Sequence, residues 1–434
     1  MIHMSQTKRL LSTAALLLLC SGLMAQENKF TVEAEFLNRG ELRIGGLATE
    51  DDDIPDNAAF ILERTRLRIG YENKSLAAKI TAQHAGTWGS AEVNSLNVYE
   101  AWVKLNSEKG FFAQAGRQLL SYDDQRIFGA DDWAMTGLYH DALKLGYEGH
   151  GHKVHLIGAY NQNLANMLGG TYFSGGIQPY KSMEALWYHY DIPHTNLGAS
   201  LLFMNTGMQA GRKGVDEETY FQQLAGAFVS FRPKKWSAEA AYYHQMGQDQ
   251  TGLPIDAWMA SIKLTMNPSR HWGLYGGYDY LSGDEGFATP PKWALGLTRH
   301  ETIHGFSSIY GSHHKFYGAM DFFYVTTYVA GFTPGLQNLY VGGRWLPGNR
   351  FSLDASFHYL ATATKLNNAD KPLGHEVELA ASYRLMKDCS LSIGYSFMDG
   401  TDTMVVLKKA ADKGHLHWGW IMLVVNPKLF SGIW

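Results

Sequence analysis

The chain has 434 residues, 13% of them aromatic and only 18% charged, with a formal net charge of −4. That acidic balance lacks the basic footprint of a nucleic-acid binder. After the first 25 residues there is no apolar run of about 18, so helical membrane spans are excluded.

The elements begin with a leader. Lys8 and Arg9 form a basic start, Leu10–Leu19 is mostly apolar, and Ala25 is a small residue before Gln26. This reads as a secretory signal peptide over residues 1–25, leaving one domain over 26–434. Loss of Lys8 and Arg9, with no acid in that stretch, takes the net charge from −4 to −6. Cys20 leaves with the leader, so the lone Cys389 cannot form an internal disulfide.

Next come segments that alternate with period two. In "ERTRLRIGY" (63–71), Thr65, Leu67, Ile69 and Tyr71 point one way, and Arg64, Arg66 and Arg68 the other. Similar segments recur at 76–86, 98–105, 111–119, 141–148, 154–163, 184–192, 196–205, 223–231, 236–245, 257–266, 272–281, 317–328, 336–346, 351–360, 375–385, 391–399 and 415–425. Each is about ten residues, enough for a tilted strand to cross a bilayer. Short turns such as 72–75, 106–110, 232–235 and 346–349 alternate with long connections such as 120–140, 163–183 and 361–374. That alternation predicts an all-β, antiparallel transmembrane barrel of about 18 strands (range roughly 16–20), with short periplasmic turns and long outer loops. Residues 296–315 fit either a poor strand or a folded-in loop. The final strand, "HLHWGWIMLVV", precedes an aromatic terminus, Trp434.

Burying three arginines against lipid would cost roughly 2–4 kcal/mol each near the midplane, so Arg64, Arg66 and Arg68 are expected to line the lumen. The same alternation places Lys79, Lys104, Lys144, Lys263 and Arg344 inside, with the acids Glu100, Glu148 and Asp354. A cationic lumen attracts anions. The competing reading is that lumen acids neutralise these cations and the charges only brace the wall, as in a general diffusion porin. In "GRQLLSYDDQRIFGADDW" (116–133), Arg117 stands near a strand's outer end, and Asp123, Asp124 and Arg126 lie on a long loop able to gate the mouth.

This stretch, with "RTRLRIGYE" upstream and "DALKLGYE" downstream, resembles the alginate export family of outer-membrane barrels. That family pairs a Gly-Arg-Gln strand end with an Asp-Gln-Arg-x-x-Gly loop and a following Trp. The resemblance is most specific over residues 60–150 and extends more loosely through "GSHHKFYGAMDFF" (311–323). It implies an 18-stranded monomer in the bacterial outer membrane, bathed in lipid, with an electropositive pore passing an anionic poly- or oligosaccharide and served by a periplasmic export partner. It carries Arg64, Arg66, Arg68, Arg117, Asp123, Asp124 and Arg126 over as pore or gate positions.

Other signals are weaker. A lipid-face hydrolase needs a Ser–His pair on one face, and Ser312, His313 and His314 are sequence neighbours that alternate sides. His150, His152 and His155 fit a solvated turn better than a metal site. The acidic stretch 50–57 could take Ca²⁺ but lacks the spaced Gly and final Glu of a calcium loop. No phosphate-binding glycine loop is present, so no cofactor is expected and the chain is read as a non-enzymatic channel.

Overall fold

The computed structural model describes residues 27–45, 57–90, 95–162, 165, 167, 178–212, 215–285, 301–323, 333–367, 369–408 and 415–434. The strands are β1 (Lys29–Ile44), β2 (Asn57–Glu72), β3 (Leu76–Thr87), β4 (Ser95–Asn106), β5 (Phe111–Gln118), β6 (His140–Gly149), β7 (His152–Tyr160), β8 (Ser182–Asp191), β9 (Leu197–Ala210), β10 (Glu218–Phe231), β11 (Trp236–Gln248), β12 (Pro254–Ser269), β13 (Trp272–Leu281), β14 (Leu336–Trp345), β15 (Phe351–Ala361), β16 (Pro372–Met386), β17 (Cys389–Gly400), β18 (His415–Val425) and β19 (Lys428–Ile433). Each pairs antiparallel with its neighbours in sequence. β18 and β19 are two halves of one strand, interrupted at Asn426–Pro427 because proline has no N–H to donate to a ladder. Both halves pair with β1, so the sheet closes as an 18-stranded barrel.

The faces follow the period-two rule. Leu67, Ile69, Ile80, Val103, Leu143 and Ile262 are exposed on the outside. Their neighbours Arg66, Arg68, Lys79, Lys104, Lys144 and Lys263 are covered to varying degrees inside. An apolar outer surface on a sheet with no open edge satisfies every backbone group in hydrocarbon. Aromatic rings border this belt. Trp272 and Trp345 stack with centroids 5.9 Å apart near the short turns, and Trp258 and Tyr280 stack at 4.8 Å toward the long loops.

Two loops turn inward. Residues 119–139, between β5 and β6, bury Leu120, Ile127 and Phe128 inside the barrel. Residues 301–323, between β13 and β14, bury Phe306, Tyr310, Tyr317 and Phe323 against them. The ambiguous 301–315 portion is therefore a folded-in loop. The expected strand at 317–328 is corrected: residues 317–323 make no sheet pairing and lie in the lumen, and 324–328 fall outside the described residues. An apolar, aromatic run packs as well in a plug as in a strand, and periodicity alone does not separate the two. The leader and residues 50–56 of the acidic stretch also lie outside the described residues, and Asn57 opens β2. A helix, α1 (Asp402–Lys408), buries Met404 and Leu407 among the plug residues.

Candidate functional site: the narrowed lumen

β1 and β2 build the first wall. Glu35 stands directly opposite Arg66, with Arg64 and Arg68 on the diagonals. Its Oε1 accepts from Arg64 Nε at 2.8 Å, and its Oε2 binds Arg68. The first inward loop completes the set. Arg64 donates to the Asp132 carbonyl at 2.8 Å, and Arg66 to Asp132 Oδ1 at 2.7 Å. Arg66 also donates to Gln83 at 2.6 Å and lies 3.9 Å over the Tyr99 ring. Arg64 and Arg66 are only 2–3% exposed. Both face inward, are ion-paired to Glu35 and Asp132, and each gives one donor group to the loop.

The same wall contains residues that the sequence reading passed over. Arg39 donates to Glu41 at 2.8 Å and to the Trp133 carbonyl at 3.0 Å, with its guanidinium 3.9 Å over the Trp133 ring. Arg43 binds the other oxygen of Glu41, which also accepts from Trp418 Nε1 at 2.9 Å. The signal was present: in "VEAEFLNRGELR", Glu33, Glu35, Arg39, Glu41 and Arg43 all fall on one parity.

The loop is also anchored elsewhere. Asp123 accepts from Ser200 Oγ at 2.5 Å and from Trp187 Nε1 at 3.2 Å, on β9 and β8. Burial pushes the Asp123 carboxyl up, with these two hydrogen bonds opposing. Arg126 donates to Asp124 at 3.1 Å, to Tyr317 Oη at 2.8 Å and to Asp279 at 3.0 Å. Burial opposes the Arg126 charge, but Asp279, Tyr317 and Asp124 outweigh it and hold the group well above its ordinary range.

Asp279 starts a polar chain around the wall. Asn338 donates to it at 2.9 Å, His358 Nδ1 meets Asn338 at 2.9 Å, and His358 Nε2 lies 3.5 Å from Glu378. Glu378 accepts the Ala319 N–H at 2.7 Å and Glu376 accepts the Met320 N–H at 2.9 Å, which ties in the second inward loop. The loops also meet directly. Ser312 N donates to the Gln125 carbonyl at 2.9 Å, Ser312 Oγ to Gln125 Oε1 at 2.9 Å, and His314 stacks on Trp133 at 4.0 Å. Ser312 thus bonds to Gln125 rather than to a histidine. Among the described residues, five of the seven non-glycine residues with positive φ are Asp123, Gln125, Asp131, Tyr317 and Asp321, all in these two loops. Each such position costs on the order of 1–3 kcal/mol and persists only where its surroundings over-determine it.

Between the loops and the short turns lies a cavity of about 490 Å³, bordered by Asp124, Lys263, Tyr275, Phe316, Tyr340 and Arg344. Arg344 pairs with Asp354 at 2.9 Å, whereas Lys263 has no carboxylate within 4.0 Å among the described residues. Lys79 pairs with Glu100 at 2.7 Å, and Lys104 and Lys144 point inward with no carboxylate within 4.0 Å among the described residues.

Arg117 departs from expectation. Phe112, Gln114 and Gln118 carry the covered, inward side of β5, and Arg117 has the opposite parity, with Ala113 and Ala115. It grips Asp141 with two bonds of 2.9 Å and the Val98 carbonyl at 2.9 Å. Asp141 shares the outer face of β6 with Leu143 and Leu145. An ion pair at the outer end of the wall is therefore what this arginine forms, and it does not line the pore. His150, His152 and His155 do not converge either. His155 faces inward between Tyr122 and Glu148, and His152 stacks on Tyr190 at 4.2 Å.

The same architecture occurs in solved structures from Pseudomonas aeruginosa. OpdL aligns with TM-score 0.61 at 12% identity, covering 92% of this chain and 99% of that one. OccK9 (OpdG) gives 0.61 at 11%, covering 92% and 98%, and OpdK with vanillate gives 0.58 at 10%, covering 92% and 99%. At such identities the likeness concerns the fold. No family model and no curated protein matches the sequence.

Proposed function

We propose that the chain is a bacterial outer-membrane channel through which small solutes diffuse passively. One chain closes one barrel, so each molecule would be a pore by itself. The observation that carries this reading is the pairing inside the lumen. Arg64 and Arg66 are buried against Glu35 and Asp132. Their charge is spent on fixing a loop that narrows the passage. That favours a diffusion channel with braced walls over a conduit lined by arginines for an acidic polysaccharide, the cargo implied by the family resemblance. The narrowed section opens into the 490 Å³ cavity, whose size suits a small molecule. Lys104, Lys144 and Lys263, which have no carboxylate within 4.0 Å among the described residues, would bias passage toward anions, and the vanillate present with OpdK is compatible with such a bias.

The test is reconstitution. The full chain in liposomes should admit small sugars and organic acids in a swelling assay, with rates falling steeply as solute size grows. It should also form discrete conductance steps in planar bilayers. Neither swelling nor conductance from correctly folded protein would end the channel reading.

A further inference from the structure

Lys104, Gln114 and Lys144 stand directly opposite one another across β4, β5 and β6. The two lysines are thus two strand spacings apart, about 10 Å at the backbone. Both lean back over one ring: Lys104 Nζ lies 4.1 Å and Lys144 Nζ 6.0 Å from the Phe112 centroid. The ring is held in place. A Cβ on Gly146 would sit 2.3 Å from Phe112 Cζ, so only glycine lets the ring lie across β6. His155 packs edge-on at 5.2 Å, fixed in turn by Tyr122 of the first inward loop at 3.0 Å and by Glu148 at 3.0 Å. The nearby acids are committed elsewhere. Glu148 serves His155, and Glu100 accepts from Lys79 at 2.7 Å and Thr81 at 3.0 Å. Among the described residues neither ammonium has a carboxylate within 4.0 Å.

Two like charges held over one apolar ring repel each other, and the ring replaces water on one side of each. Each of the nearby arginines has a carboxylate within 4.0 Å, so these two lysines are an exception that calls for an external counter-charge. We infer that Lys104 and Lys144 form a binding site for a small dianion, one carrying two negative charges such as hydrogen phosphate or a short dicarboxylate. The inference rests on the channel reading and names the solute class for which the short-turn half of the lumen is built. A monoanion would satisfy one ammonium and leave the other exposed to its neighbour. A dianion spans both, with Gln114 between them as an amide donor.

The test uses the full chain in two formats. In planar bilayers carrying chloride current, hydrogen phosphate and succinate are added in turn. In detergent, binding of the same ions is followed by calorimetry. Saturable block and binding are expected, weakened about tenfold by Lys104→Gln or Lys144→Gln, the loss of one charge-assisted contact. Lys109→Gln, in an exposed turn, should change neither. Response to phosphate alone or to succinate alone would assign the dianion. A conducting channel that neither ion blocks, or block unchanged in both variants, overturns the site. Absence of conductance together with intact binding would instead overturn the channel reading and leave the site standing.

Discussion

The lumen has two sides made from the same chemistry with opposite outcomes. On the β1–β2 side, arginines and acids interlock around Glu35, Glu41 and Asp132, and the wall holds the first inward loop against itself. On the β12–β15 side, Arg344 is 59% exposed, pairs with Asp354, and faces a cavity together with Lys263, which has no carboxylate within 4.0 Å among the described residues. A positive residue pointing inward is therefore not by itself a selectivity element. What decides is whether a carboxylate has claimed it.

The widest separation between the sides should appear in stability. Glu35→Ala leaves Arg64, Arg66 and Arg68 facing one another, and a broken buried pair typically costs about 3–5 kcal/mol. The unfolding midpoint in detergent should fall sharply, whereas Asp354→Ala on the open side should cost no more than about 1 kcal/mol. Equal losses would erase the contrast. Next comes the link between the loops. Arg126→Ala removes the contacts to Asp279, Tyr317 and Asp124 at once. Single-channel conductance should rise and become noisy as the loops loosen, and an unchanged quiet current would show the loops held by packing alone.

Selectivity should move less, and on the open side. Lys263→Gln should shift the reversal potential in a salt gradient toward cations, and Arg68→Gln should shift it less because Glu35 already offsets that charge. The reverse order would return the arginine ladder to the pore. Smallest of all is Arg117→Gln on the outer face, expected to alter stability by under about 1 kcal/mol and the reversal potential not at all.

Much of the barrel was legible because side chains in a strand alternate without exception unless a bulge intervenes. "RTRLRIGY" gave both its strand and its inward arginines on that rule alone. The counter-charges were harder. Glu35 meets Arg66 through a register between strands separated by residues 45–56, too many for the sequence to fix the pairing as a short hairpin would. Arg117 is a charged residue on an outward parity, which it shares with Phe111, Ala113 and Ala115, so charge alone does not tell its face. The second inward loop carries a misleading trace: 317–328 reads like a strand, yet Tyr317, Met320 and Phe323 are buried by plugging rather than by pleating.

The seam of the barrel has a further consequence, for assembly. β1 and the interrupted final strand are the first and last pieces of the sheet, and Asn28 and Trp434 exchange backbone bonds of 2.9 and 3.1 Å where they meet. Closing that seam joins positions almost the whole chain apart, the kind of contact whose loop entropy makes folding slow. Until it forms, β1 and the final strand each present an unpaired edge. A variant that slows this closure should therefore accumulate as an open sheet with its first and last strands unpaired.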